Sequence, residues 1–149
     1  MKLNKTSIFY ISLFFLFYLS LVLGFILNED SAGGAYPDYD FHLNIRDFFL
    51  ADTWAGFKNY LGTGSTHSPI FIVFLKYLLI FDETFGRFIF LNLCIFIPLI
   101  FFKILKEKVN VNIFFIFYLS NFFFLSPYFR STSIWPGDEN LAILFFLIS

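Results

Sequence analysis

Residues 69–81, PIFIVFLKYLLIF, decide how this chain is arranged. Thirteen residues of helix reach about 20 Å, short of the roughly 30 Å hydrocarbon core, and Lys76 stands in the middle. Whether this run crosses a bilayer fixes the sidedness of everything after it. On its far side lie a short acidic turn, Asp82-Glu83, and then Phe88–Leu105, an apolar stretch whose one charge, Lys103, can snorkel. The lysine-rich turn KILKEK follows (residues 103–108), and after it Val109–Phe129, 21 residues without a charge. If residues 69–81 crossed, the lysine turn would lie outside and the acidic turn inside, inverting the positive-inside bias. If they lie along the outer interface, every sign is correct.

The N-terminal flank agrees. Ile8–Leu27 is an uncharged run of 20 residues, enough to span; Lys2 and Lys5 precede it, and Glu29 and Asp30 follow it. That bias places the N-terminus in the cytoplasm. A cleaved signal peptide would have a shorter apolar core and an A-x-A-like site, and neither is present, so the run reads as an uncleaved anchor. The expected organisation is one all-α, polytopic transmembrane unit. Its crossings lie at about 8–27, 88–105 and 110–128, with an incomplete fourth at 140–149, and its outer loops are 28–87 and 129–139. The ten residues from Asn140 to Ser149 cannot span alone, so the chain reads as the N-terminal part of something longer.

Composition supports a bilayer protein. Hydrophobic residues make up 58% and charged residues 14% of the 149, and mean hydropathy is +0.75. A soluble chain of this size could not cover so much apolar surface. The net charge of -1 excludes nucleic acid as the default partner, because no basic patch exists to meet phosphates. The single cysteine, Cys94, rules out a disulfide framework.

Within residues 28–67, Gly33, Gly34 and Pro37 interrupt regular structure early, and Gly62 and Gly64 late. Between them Phe41–Tyr60 mixes aromatics with Arg46, Asp47, Asp52 and Lys58, which suits a helix in the interface plane with Trp54 at headgroup level. Asp38, Asp40 and His42 alternate along the chain. Such a cluster can bind a divalent cation, or one carboxylate can take a proton from a hydroxyl; it can equally be a solvated turn. Ser68-Pro69 makes a good helix start, with His67 beside it. Arg87 is an interfacial anchor or a counter-charge for a lipid phosphate. Asp138-Glu139-Asn140 is a plain helix start with acids in the first turn. The topology nevertheless puts Arg130, Asp138 and Glu139 on the same face as Asp38, Asp40, His42 and His67, as a site built from two distant loops requires.

The residues Tyr36-Pro37-Asp38-Tyr39-Asp40-Phe41-His42, Thr66-His67-Ser68-Pro69, Phe85-Gly86-Arg87 and Trp135-Pro136-Gly137-Asp138-Glu139 occur in an order that resembles the N-terminal part of the GT-C superfamily of membrane glycosyltransferases. The lipid A aminoarabinose transferases and protein O-mannosyltransferases are the nearest in pattern. The resemblance implies a catalytic carboxylate at Asp38, with Tyr39 where a Glu is common, and leaves Asp40 as the alternative. It implies a donor-side stretch at His67-Ser68-Pro69, with Ser68 departing from the pattern, and places the second outer-loop Asp at Asp138. Donors would be polyprenyl-phosphate sugars, with inversion at the anomeric carbon, and acceptors a lipid, glycan or protein hydroxyl. Arg87 and Arg130 would answer the phosphate charge. A divalent metal is an open question, with Asp38, Asp40, His42, His67 and Glu139 as its candidate ligands. The expected location is a bacterial inner or plasma membrane with the active face non-cytoplasmic. Four helices do not enclose both substrates, so this segment alone is expected to be inactive. The competing reading is a small non-enzymatic membrane protein or assembly subunit. A transporter is disfavoured, because 8–27 and 109–129 contain no intramembrane charge.

Overall fold

A computed structural model describes residues 5–149; Lys2, on which the sidedness of the first run partly rests, lies outside them. Every regular element among the described residues is helical. The first, α1 (Lys5–Ile26), is long and apolar enough to cross a membrane. It ends in a Schellman turn. Asn28 takes a positive φ of 52°, its N–H donates to Phe25 O, and the Glu29 N–H donates to Gly24 O at 2.8 Å.

The Asp30 carboxylate then starts the next helix from outside it, accepting the N–H groups of Gly34, Ala35 and Tyr36 at 3.1–3.3 Å. This helix, α2, runs Ala35–Ala51 and therefore contains Pro37 and the whole Asp38–His42 cluster, where the sequence suggested a loop. Pro37 sits in the first turn, where its missing N–H costs nothing. The interfacial helix expected over Phe41–Tyr60 is in fact two. It breaks at Asp52, whose side chain caps α3 (Thr53–Asn59) by accepting from Trp54 N at 2.8 Å.

The run at 69–81 forms α4 (Pro69–Leu78), ten residues and too short to cross. Its lysine has a partner the sequence did not reveal. Lys76 Nζ donates to Phe49 O at 2.8 Å and Thr53 Oγ1 at 2.9 Å, tying α4 across the α2–α3 junction.

Helices α5 (Glu83–Cys94) and α6 (Phe96–Lys108) together form the second candidate span, Glu83–Lys108, longer at both ends than the expected 88–105. Pro98 cannot donate to Cys94 O, which accounts for the local break at Ile95. The expected crossing 110–128 differs more. Helix α7 (Ile113–Asn121) tightens into a 3-10 turn, Phe122–Leu125, and the chain then bends by 59° into α8 (Pro127–Ile134). Ser126 caps the new helix and Pro127 opens it, so a serine and a proline bend what looked like one straight uncharged span; the bent pair Ile113–Leu125 and Pro127–Ile134 is together still long and apolar enough to cross. Most of the expected loop 129–139 is therefore helix α8, and α9 (Asp138–Ile148) follows it.

Contacts order the ends. Near the end of α1, Asn28 Oδ1 accepts from Arg87 Nη2 of α5, while Tyr10 near the start of α1 packs against Phe114 and Phe117 of α7. Helix α1 and the α5–α6 helix thus run antiparallel. The Asn28–Glu83 region and the α8–α9 corner share one end, with the lysine turn at the other. The core between α1, α2, α4, α5 and α8 holds Leu21, Phe49, Ile72, Leu75, Leu91 and Ile134, all fully buried.

Arg130 closes this end with a fork. Its Nε donates to Glu29 Oε1 at 2.8 Å and its Nη2 to Oε2 at 2.5 Å, while Ser20 O accepts at 3.1 Å. The Arg130 hydrogen bonds hold the Glu29 carboxyl below the usual carboxylate range. A lowered folded value stabilises the fold above the ordinary pKa of 4.5, and that contribution is lost as pH falls through the lowered value. Arg130→Gln is expected to cost about 1.5–3 kcal/mol near neutral pH and to flatten this acid limb, read as thermal unfolding in detergent against pH.

Candidate functional site

The helical state of α2 decides which of its acids can act together. Residues i and i+2 of a helix point apart, whereas i and i+4 share a face. Asp38 and His42 therefore look the same way, into a cavity of about 170 Å³, and Asp40 lies exposed outside it. The D-x-D spacing would converge only on an extended strand or a loop.

The cavity is enclosed by α2, by the Ala32–Ala35 turn, by His67 ahead of α4, and by the α8–α9 corner. Gly33 and Gly34, at φ 68° and 125°, let the turn fold over it. Tyr128 and Thr132 come from α8, Trp135 and Gly137 from the corner, and Glu139 from the first turn of α9. The two acidic segments, a hundred residues apart in the chain, thus meet around one space.

His67 is fixed at both its backbone and its ring. Its carbonyl accepts from Tyr60 Oη at 2.5 Å and its N–H donates to Ser65 Oγ at 3.2 Å. Its Nδ1 lies 3.2 and 3.3 Å from the two carboxylate oxygens of Asp138. His42 packs edge-to-face on it, ring centres 4.3 Å apart, and also on Phe71 at 5.2 Å. His42 is 1% exposed, and neither of its ring nitrogens has a hydrogen-bond partner. Burial pushes its pKa down and the neighbouring His67 adds to this, while Asp138, Asp38 and Glu139 pull it back up.

The two arginines expected at the phosphate are engaged elsewhere. Arg130 is held by Glu29. Arg87 is 6% exposed; its Nε donates to Ile134 O at 3.1 Å and its guanidinium lies 3.5 Å from the centre of the Trp135 ring. It supports the cavity wall from behind. No Lys or Arg side chain lines the cavity itself. Among the described residues no three His, Cys, Asp or Glu side chains converge as metal ligands, so Asp38, Asp40, His42, His67 and Glu139 do not form a metal centre in this arrangement. Asp40 faces away, and the ring nitrogen nearest Asp138 is already engaged.

Sequence reasoning missed Tyr128, Thr132 and the Tyr60–Ser65 brace. A tyrosine or threonine inside an apolar stretch carries no signal until a bend turns it inward. Comparison with protein-family models, with curated proteins and with solved structures gives no match for this chain.

A buried imidazole without partners is a liability for the fold, unless a ligand uses it. His42→Phe keeps the ring packing and is expected to leave stability unchanged or raise it by about 1 kcal/mol. In the wild type the unfolded chain takes up a proton below its ordinary value of 6.5 while the folded His42 resists it, so stability falls with pH below 6.5. The variant should lose that component, measured by thermal unfolding between neutral and mildly acidic pH.

Proposed function

We propose that this chain builds the acceptor side of a membrane glycosyltransferase that moves a sugar from a polyprenyl-phosphate donor to a hydroxyl on the non-cytoplasmic face. The observation that carries the reading is the cavity shared by Asp38, His67 and Glu139, with Asp138 behind it on His67, at the end of the candidate spans opposite the lysine turn. Carboxylates and a histidine with no free cation suit a neutral acceptor hydroxyl, which needs a hydrogen-bond acceptor, better than they suit a phosphate. Asp38 is the member of the Asp38/Asp40 pair that lines the cavity and can accept a hydrogen bond from the acceptor. Beside the cavity an apolar groove of about 210 Å³ runs between α4 and α9, lined by Ile70, Phe71, Leu141, Ala142 and Phe145, with Ser68 and Asp138 also on its wall. A prenyl chain lying there would bring its sugar to the Asp138 edge while its phosphate stays at the rim. In this reading α4 lies along the interface, and the charge bias of the flanks sets the sidedness.

Two measurements test it. In membranes carrying the protein expressed from its complete reading frame, Asp38→Asn should lower sugar transfer about 10- to 100-fold, the worth of one charged hydrogen bond, whereas Asp40→Asn should leave it unchanged. Equal loss in both, or in neither, would remove Asp38 from the site. A cysteine placed at Glu107 should resist a membrane-impermeant thiol reagent applied to intact cells and react once the membrane is opened. Labelling from outside would reverse the proposed sidedness.

A further inference from the structure

We infer that His67, oriented by Asp138, is the group that takes the proton from the attacking hydroxyl; this rests on the transfer reading above. An ionised carboxylate has no hydrogen to give, so the Nδ1 that approaches both oxygens of Asp138 at 3.2 and 3.3 Å must carry the hydrogen. In the neutral ring that leaves the lone pair on Nε2, the nitrogen a base needs. The ring has little freedom to turn, because His42 sits 4.3 Å away edge-to-face and Tyr60 and Ser65 hold the backbone. The His67 side chain keeps 25% of its exposure and lines the cavity, so an incoming hydroxyl can reach it.

The other polar groups facing the dyad each have a different part. Asp38 and His42 come from α2, Tyr128 from α8 and Glu139 from α9. Asp38 accepts from a second donor group of the acceptor and so aims the attacking hydroxyl, whose own hydrogen faces His67, and Asp138 is a positioning residue that acts through His67. In the step itself, the acceptor oxygen bonds to the anomeric carbon as its proton passes to His67 Nε2. The anomeric carbon–oxygen bond to phosphate breaks with its electron pair on the phosphate oxygen, and polyprenyl phosphate leaves. The imidazolium lies against the Asp138 carboxylate and afterwards returns its proton to water. No oxidant or further reactant enters.

The chain has two histidines, so imidazole nitrogens labelled with nitrogen-15 give a spectrum of two residues, assigned by the signal lost in His42→Phe. In the wild-type chain in lipid nanodiscs, His67 is expected to show a pyrrole-type Nδ1 and a pyridine-type Nε2. Asp138→Asn should mix the two tautomers, and Asp138→Glu should keep the wild-type pattern. In the protein expressed from its complete reading frame, with a polyprenyl-phosphate sugar and intact membranes as the source of acceptor, His67→Gln and Asp138→Asn should lower kcat about 10²- to 10⁴-fold with KM little changed, and Asp138→Glu should restore part of it. An unchanged His42 signal in each variant reports that the fold is kept. A protonated Nε2 in the wild type, or full kcat in Asp138→Asn, overturns the assignment while leaving the transferase reading in place. Absence of any transfer by the wild-type protein expressed from its complete reading frame, with the expected tautomer present, overturns the transferase reading and the base role with it.

Discussion

Arg87 is the residue on which the polar end of this molecule depends. It is buried close to the start of a helix long enough to span a bilayer, and a buried guanidinium is costly unless its donors are met. Two of them are met, by Ile134 O at the end of α8 and by Asn28 Oδ1 at the turn after α1, and its flat face is covered by Trp135. Three segments, the start of α5, the end of α8 and the turn after α1, are thereby joined at one point by directional contacts. Apolar packing alone does not specify a register well in a chain with 27 phenylalanines, many of them interchangeable in size and shape. A directional cation at the meeting point does. The cavity follows from it, since Trp135 is both the cover of Arg87 and a wall of the polar space.

A second arginine repeats the arrangement one layer outward. Arg130 reaches across to Glu29 and to the backbone of Ser20, and there is room for this because Gly24 has no side chain; a methyl there would meet both Glu29 and Arg130. The bend of 59° before α8 makes the same geometry possible. Arg130 lies in the first turn of α8, so the Ser126-Pro127 start sets the direction from which it reaches Glu29. The break in the third apolar run and the ion pair are therefore one feature of the structure.

The large-scale pattern was legible because it rests on length and charge. Thirteen residues interrupted by Lys76 could not be a full span, and the helix there has ten. The two long runs at 8–27 and around 88–105 appear as the two helices able to cross. What was not legible depended on partners far away in the chain. Asp38-Tyr39-Asp40 reads as a pair of converging acids until the Asp30 carboxylate, several residues upstream, starts a helix that turns them apart. Lys76 reads as a defect in an apolar run until Phe49 O and Thr53 Oγ1 are brought to it. Arg87 and Arg130 read as free cations because their acceptors, a backbone carbonyl and a glutamate a hundred residues away, have no local signature. The contact of His67 with Asp138 spans 71 residues. Only the parity argument, which put both segments at one end, made it possible to expect.

The distribution of charge bears on the chemistry this end can support. Both arginines are withdrawn from the polar space, and the groups left facing it are carboxylates, two imidazoles, a phenol and a hydroxyl. Such a lining accepts hydrogen bonds more readily than it donates them, so it draws hydroxyls inward and repels phosphate. A transfer from a phosphate-linked sugar needs both a place where a hydroxyl loses its proton and a place where a phosphate gains charge, and these work best when kept apart. In the transfer we propose, the cavity would answer only the first requirement. The apolar groove between α4 and α9 meets it along the Asp138 edge, where His67 also stands. The second requirement then falls to groups at the rim of that groove, so the reacting carbon would lie between the two spaces, beside the one imidazole that touches an acid.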